Sequence, residues 1–404
     1  MKMKAACAKN GASQQDTQSG EAAIFIADPH GEHEEFFRLM NLAYDKLGGK
    51  ADNIFVLGDI FDRGPRPDLI MDYLMCEKAD THFLWGNHDI LWMGAHLGCL
   101  PSIACALRIA IAYNNFDLLN NYNINLKLLK KFAQKTYKND PCERFLIKVF
   151  DENINPIDKD LAAKMHKAIS IIQFKLEKGI LPEDRLLLGK NIYPLRDNHF
   201  PTVDKNNPFE LTVYENAIIK GLRDDFIKSE LLKKHLDFMI DNGGVYKIYN
   251  NKLLFHACIS KDKQHLDELD TQIRKAYKNK IATPLFYKLW CMKDSPFFGK
   301  EKMTTFERFF VEDKSTHKEL LDGYYKSIDD PEYAKKLLEE FGIDEGIIIN
   351  GHIPVKIKDG ESAFRANGLR IVLDGGMAKS YQSVSGIKGM VMIETADNKQ
   401  LIIN

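Results

Sequence analysis

Short apolar runs that stop at acidic or turn residues recur through the first hundred positions. Ala22-Ala23-Ile24-Phe25-Ile26-Ala27 ends at Asp28, and Asn53-Ile54-Phe55-Val56-Leu57 ends at Gly58-Asp59. Thr81-His82-Phe83-Leu84-Trp85 ends at Gly86-Asn87-His88-Asp89. Runs of this length, bounded by turn residues, predict buried strands. The stretches between them, Glu34 to Leu47 and Pro67 to Met75, predict helices, the second with proline near its start where a helix tolerates it. Strands alternating with helices imply a βαβαβ start and a largely parallel sheet. In such sheets ligands gather just past the carboxyl ends of the strands. All three polar clusters fall there.

The pattern changes between about residues 103 and 240. Leu161, Met165, Ala168, Ile169, Ile172 and Leu176 recur at helical spacing, while Pro141, Pro182, Pro194, Pro201 and Pro208 punctuate the rest. No fixed period marks a repeat array, so this part reads as a mainly helical insertion. Strand signals return at Val245 to Tyr249 and Lys252 to His256, with Asn250-Asn251 between them as a hairpin turn. Further strands are expected at Ile347 to Asn350, before Gly351-His352, and at Leu369 to Leu373, before Asp374-Gly375-Gly376. The last two are expected at Gly389 to Glu394 and Lys399 to Ile403. The first and last thirds therefore build one sheet-based core.

Composition narrows the function classes. The 404 residues are 45% hydrophobic and 28% charged, as in an ordinary globular protein. With 56 basic against 57 acidic side chains, no global field marks a nucleic-acid or membrane binder. Seven scattered cysteines without a Cys-x-x-Cys pair argue for reduced thiols rather than a disulfide framework. Residues 1–21 lack the apolar core of a secretory signal and read as a disordered tail. No run approaches the roughly 18 apolar residues of a membrane span. The expected organisation is one domain over 22–404 in the cytoplasm.

Singly, each polar cluster has a plain structural explanation: Asp28-Pro29-His30-Gly31 could be a turn, and a lone His256 or His352 a core histidine. Together they put Asp-x-His, Asp-x-x-Asp-Arg, Asn-His-Asp, His and Gly-His on five strand ends. Carboxylate, amide and imidazole are the donor set that Mn²⁺, Fe²⁺ or Zn²⁺ accept. Clustered ionisable groups in one crevice mark a site.

These motifs resemble the calcineurin-like metallophosphoesterases. The match narrows at Leu57–Asp68, Trp85–Gly94, Leu289–Pro296, Met303–Arg308 and Asn350–Lys356, which resemble class III, Firmicutes-type fructose-1,6-bisphosphatase. The resemblance implies an αββα sandwich of mixed sheets flanked by helices. It also implies a gluconeogenic hydrolase that turns fructose 1,6-bisphosphate into fructose 6-phosphate and phosphate, with no nucleic-acid or membrane partner. By the same resemblance, two divalent ions, Mn²⁺ with Fe²⁺ or Zn²⁺ as alternatives, are held in two sets. Asp28, His30 and Asp59 form one; Asp59, Asn87, His256 and His352 form the other. A hydroxide between the ions would attack phosphorus, since paired metals lower the pKa of bound water. Arg63 would brace the phosphoryl oxygens, and His88, held by Asp62, would protonate the leaving alkoxide.

Two residues depart from the wider superfamily: Pro354 stands where many members carry a second histidine, and Pro29 removes an N–H from the Asp-x-His loop. Lys293 and Arg66 are candidates for the non-reacting phosphate, with Arg308, Lys356 and Lys379 behind them. A phosphoprotein phosphatase or dinucleoside-polyphosphate hydrolase shares Gly-Asp-x-x-Asp-Arg-Gly. A non-catalytic scaffold is the remaining alternative, and it would be expected to have lost some of these groups.

Overall fold

The computed structural model describes residues 20–150, 158–178, 185–188 and 190–404. The tail expected at 1–21 lies outside the described residues up to position 19, as does Pro182. Strands β1 (Ala23–Ile26), β2 (Asn53–Val56) and β3 (Asp80–Leu84) form where the apolar runs predict them, and they pair in parallel. Helices α1 (His33–Lys46) and α2 (Pro67–Cys76) connect them, and α3 (Asn87–His96) leaves the end of β3. Helix α4 (Leu100–Ala112) opens the middle of the chain, with the helices Lys159–Leu176, Val213–Lys228 and Glu230–Asp241 following. The middle also holds a feature the pattern does not predict, a hairpin of β4 (Arg185–Leu188) and β5 (Asn191–Pro194).

The remaining strands are β6 (Gly243–Gly244), β7 (Tyr246–Tyr249), β8 (Lys252–Phe255), β9 (Ile347–Asn350), β10 (Phe364–Arg365), β11 (Arg370–Val372), β12 (Val391–Glu394) and β13 (Gln400–Ile403). Asn250 and Asn251 both take positive φ between β7 and β8, the backbone a tight two-residue hairpin needs. The strands divide between two sheets rather than one. The first runs β13-β12-β1-β2-β3-β6 and the second β10-β11-β9-β8-β7.

Side-chain alternation sets the layers. Phe25, Phe55, Leu57 and Leu84 of the first sheet meet Leu254, Ile349 and Ile371 of the second in one apolar cluster. Their neighbours in sequence, Ile24, Ile54, Val56, Leu253 and Ile348, point the other way into the cluster shared with the helices. Both faces of the central strands are thus buried, so they read as continuous apolar runs. The helical stripe Leu161, Met165, Ala168, Ile169 and Ile172 is likewise buried. Each leucine, methionine and isoleucine of the stripe contributes about 1.5–3 kcal/mol on leaving water. No helix among the described residues is long and apolar enough to cross a membrane.

In the first sheet β1, β2, β3 and the short β6 run parallel, and in the second β8, β9 and β11 do. The two sheets come into close contact where β2 and β8 end. Gly58 sits there with φ +84, and a Cβ on it would overlap His256 Nδ1 and lie 2.8 Å from Gly86 Cα. Gly58→Ala is expected to lower stability by roughly 2 kcal/mol or more through left-handed strain and overpacking. Urea denaturation of the metal-free protein measures this; an unchanged midpoint would show that the strand ends part freely.

Candidate metal centre

Six of the parallel strands, β1, β2, β3, β8, β9 and β11, deliver their following residues to one edge. Asp28 and His30 come after β1, Asp59 with Asp62 and Arg63 after β2, and Asn87 with His88 after β3. His256 follows β8 and His352 follows β9. Among these nine residues, Asp28, His30, Asp59, Asp62, Arg63 and His352 have φ between 45° and 73°. Non-glycine residues rarely adopt this left-handed region, and such strain collects at functional sites. Pro29 is accommodated in the loop, its carbonyl accepting from Glu32 N at 2.9 Å.

Backbone contacts lock the nine together. His352 N donates to Asp28 Oδ2 at 2.9 Å, and His88 N donates to Asp59 Oδ1 at 2.9 Å. Asp89, left without a role by its sequence context, takes three backbone N–H groups. Asp59, Ile60 and Gly86 each donate to it at 2.9 Å, tying the end of β2 to that of β3.

The histidines are aimed by their outer nitrogens. His30 Nδ1 bonds Phe61 O at 3.2 Å, His256 Nδ1 bonds Leu57 O at 2.8 Å, and His352 Nε2 bonds Phe298 O at 2.8 Å. A carbonyl partner fixes the proton there and leaves the other nitrogen as a lone pair, as in metal-ligating histidines. Those inner nitrogens converge on one oxygen. Asp59 Oδ2 lies 3.7 Å from His30 Nε2 and 3.6 Å from His256 Nε2, and His256 Nε2 lies 3.0 Å from His352 Nδ1. Asn87 Oδ1 is buried with no partner among the described residues, an acceptor waiting for a donor or a cation. Among the described residues, Asp59 lies close enough to His256 and His352, and separately to His30 and His88, for each group to hold a metal ion.

Spacing alone would therefore make His88 a ligand. Its bonding argues otherwise. His88 Nδ1 lies 2.7 Å from Asp62 Oδ2, and Arg63 Nη2 lies 3.3 Å from His88 Nε2. A guanidinium only donates, so Nε2 is the acceptor and Nδ1 carries the proton to Asp62. A cation on Nε2 would face Arg63 directly.

Electrostatics complete the case for cations. Burial, then the charges of Asp374 and Asp59, holds Asp28 well above the ordinary carboxylate range. Burial pushes Asp59 up to about 7; it does the same to Asp374, with Asp59 adding to the effect. Asp374, just past β11, is the largest charge acting on Asp28. Sequence reasoning gave it no role, although an apolar run ending in Asp-Gly-Gly repeats the signature of the other strand ends.

A cavity of about 610 Å³ opens over these groups, within the range of small-molecule sites. A shallower depression of about 680 Å³ around His82, Tyr246 and Arg274 holds none of them. Neither Lys293 nor Arg66 lines the cavity. Lys293 is exposed and paired with Glu301 at 2.7 Å, and Arg66 forks onto Asp68. The basic side chains that do line it, besides Arg63, are Arg108, Arg144, Lys148, Lys300 and Arg308.

The sequence profile of the Firmicute fructose-1,6-bisphosphatase family matches residues 50–404. The chain belongs to this family. It is 44% identical to fructose-1,6-bisphosphatase class 3 of Clostridium tetani (strain Massachusetts / E88), over 85% of this chain and 59% of that relative. It is 43% identical to the enzyme of the same name from Clostridium botulinum (strain Langeland / NCTC 10281 / Type F), over 85% and 58% respectively. The chain thus spans less than two thirds of the length of these curated relatives. A solved cold-active protein tyrosine phosphatase aligns over 95% of this chain and 79% of its own, with 13% identity and a TM-score of 0.40, too low to argue from. The matched span of the Firmicute fructose-1,6-bisphosphatase family takes in every strand end of the centre except that of β1.

In the metal-free protein, Asp59 and Asp374 have folded pKa values of about 7 against an ordinary value of 3.8. A raised carboxylate contributes stability that is present at low pH and lost as pH rises through the folded value. A bound divalent ion favours the ionised form and reverses this. Metal-free Tm is therefore expected to fall from pH 6 to pH 8, while the rise in Tm on adding Mn²⁺ is larger at pH 8. Differential scanning fluorimetry at both values checks it, and an equal or smaller rise at pH 8 would contradict the assignment of these carboxylates.

Proposed function

We propose that this chain is a metal-dependent phosphatase that hydrolyses fructose 1,6-bisphosphate to fructose 6-phosphate and phosphate, on a metallophosphoesterase-type αββα sandwich. The observation that carries the reading is the place of Asp59 Oδ2, nearly equidistant from His30 Nε2 and His256 Nε2. One carboxylate oxygen between two ligand sets suits a bridging role. Asp28 and His30 complete one set; Asn87, His256 and His352 complete the other. When bound, a pair of Mn²⁺ ions supplies Lewis acidity toward the phosphoryl oxygens and a nucleophile at neutral pH. Asp374 adds negative charge on the Asp28 side, where Pro354 stands instead of a histidine.

The chain's own residues handle orientation and the proton. Arg63 projects from its strained turn over the Tyr381 ring at 4.6 Å, and its fork faces the cavity beside His88. Such a fork suits two phosphoryl oxygens and keeps its charge at any working pH. Asp62 has both oxygens engaged, one by His88 Nδ1 at 2.7 Å and the other by Trp92 Nε1 at 2.9 Å, so it fixes the imidazole plane. Trp290 stands edge-on to the same ring at 4.7 Å and closes its flank. In the resting protein burial, then Arg63, holds His88 well below an ordinary histidine, leaving Nε2 bare. A phosphate ester beside Arg63 brings negative charge against Nε2 and favours a proton there. His88 then carries that proton to the leaving alkoxide.

His88→Asn is expected to retain metal, read by elemental analysis, while turnover falls by about 10²–10⁴-fold. Undiminished turnover would remove His88 from the mechanism. A panel of fructose 1,6-bisphosphate, a phosphopeptide and a dinucleoside tetraphosphate with Mn²⁺ tests the substrate. Phosphate release is expected from the sugar, and release only from another member would overturn the assignment.

A further inference from the structure

The cavity has two electrostatic ends. One holds the acidic strand ends; the other is basic, in a chain whose net charge is only −1. Not all the basic side chains are free to meet a ligand. Lys300 lies 2.9 Å from Glu319 and Arg308 lies 3.6 Å from it, so one carboxylate already answers both. Arg108 Nε is taken by Gln173 Oε1 at 2.7 Å. Arg108, Lys148 and Arg144 have no carboxylate partner among the described residues, and of the three only Arg108 is held by a side-chain amide and a thiol.

Their placement is fixed by the backbone. Lys148 N donates to Ala112 O at 2.8 Å, which pins this segment to the end of α4 beside Tyr113. Phe145, next to Arg144, stacks on Phe309 with ring centroids 4.6 Å apart, and its carbonyl meets His166 Nδ1 at 2.8 Å. Lys148 Nζ reaches Tyr113 Oη at 3.1 Å, and Arg63 Nη1 reaches the same oxygen at 3.2 Å. A single phenol oxygen therefore stands between the cation assigned to the reacting phosphoryl group and a second, uncompensated cation. Burial opposes ionisation of Tyr113, yet Arg63 and Lys148 outweigh it and draw the phenol down to about 8. The local potential is that of a site for an anion.

Resting on the phosphatase reading above, we propose that Lys148, joined to Arg63 through the Tyr113 hydroxyl, and Arg144, which lines the same cavity, form the subsite for the phosphate that is not cleaved. The substrate is then a bis-phosphorylated ester bound with one phosphate at the acidic end and the other at the basic end. Tyr113 works as a spacer, its hydroxyl holding the two cations at a set separation. Discrimination between bisphosphates and monophosphates comes from this second contact, since each charge-assisted bond to phosphate carries binding energy that a monophosphate cannot use.

The test compares kcat/KM for fructose 1,6-bisphosphate with kcat/KM for p-nitrophenyl phosphate, in the Mn²⁺-loaded wild type and in Lys148→Ala, Arg144→Ala and Lys148→Arg. For each alanine variant the ratio of the two is expected to fall about tenfold or more, mostly through KM for the bisphosphate. Lys148→Arg keeps the charge and should restore most of the ratio. An unchanged ratio in both alanine variants, or equal losses on both substrates, would overturn the subsite alone. If the wild type cleaves p-nitrophenyl phosphate but not the bisphosphate, the substrate reading itself fails and the subsite falls with it.

Discussion

The structure is organised around a repulsion. Asp28, Asp59, Asp89 and Asp374 are all buried at the edge where two sheets meet, and each sits in a field of like charge or lost water that resists ionisation. Such a group is tolerated only where hydrogen bonds or cations compensate it. The fold divides that task. Asp89 is satisfied within the protein by three backbone N–H groups. Asp28, Asp59 and Asp374 each take one backbone donor, from His352, His88 and Gly376, and each keeps a second oxygen without a hydrogen bond among the described residues. What remains is a deficit of positive charge at one place, and a pair of divalent ions suits it.

Bringing six strand ends to this place costs conformational energy. Six residues of the centre sit in the left-handed region, where a non-glycine residue is strained by about 1–3 kcal/mol. The closest approaches are left to glycine, with Gly58 against His256 and Gly351 against Asp28, because no Cβ fits there. The sandwich can hold this geometry because both faces of its central strands are buried, one between the sheets and one beneath the helices. The hard-packed core keeps the strand ends from relaxing apart.

The basic half of the cavity is built differently. Its side chains come from the end of α4 and from segments that follow in the middle and late parts of the chain, not from the strand ends. Ion pairing within the protein removes some of these cations from play: Glu319 answers Lys300 and Arg308, while Lys148, beside Tyr113, meets no carboxylate among the described residues. A bound anion is therefore selected by which charges the protein has left unanswered, rather than by how many it carries.

Local sequence was enough to place the strands β1 to β3, the helices between them, the Asn250-Asn251 hairpin and the polar residues that follow the strand ends. In each case the signal is short-range: an apolar run of strand length, a helical stripe, or polar residues directly after a strand. Such signals say what a segment does, not what it lies against. Only the tertiary structure decided which strands pair in which sheet, since strands buried on both faces look alike in either one. It decided that Asp89 knots two strand ends together and that Asp374 joins Asp28, because those partners lie 30 and more than 300 positions apart. It also withdrew Lys293 and Arg66 from the cavity by pairing them with Glu301 and Asp68. Whether a cation is free to meet a ligand depends on neighbours through space, and neighbouring residues in the chain do not reveal those.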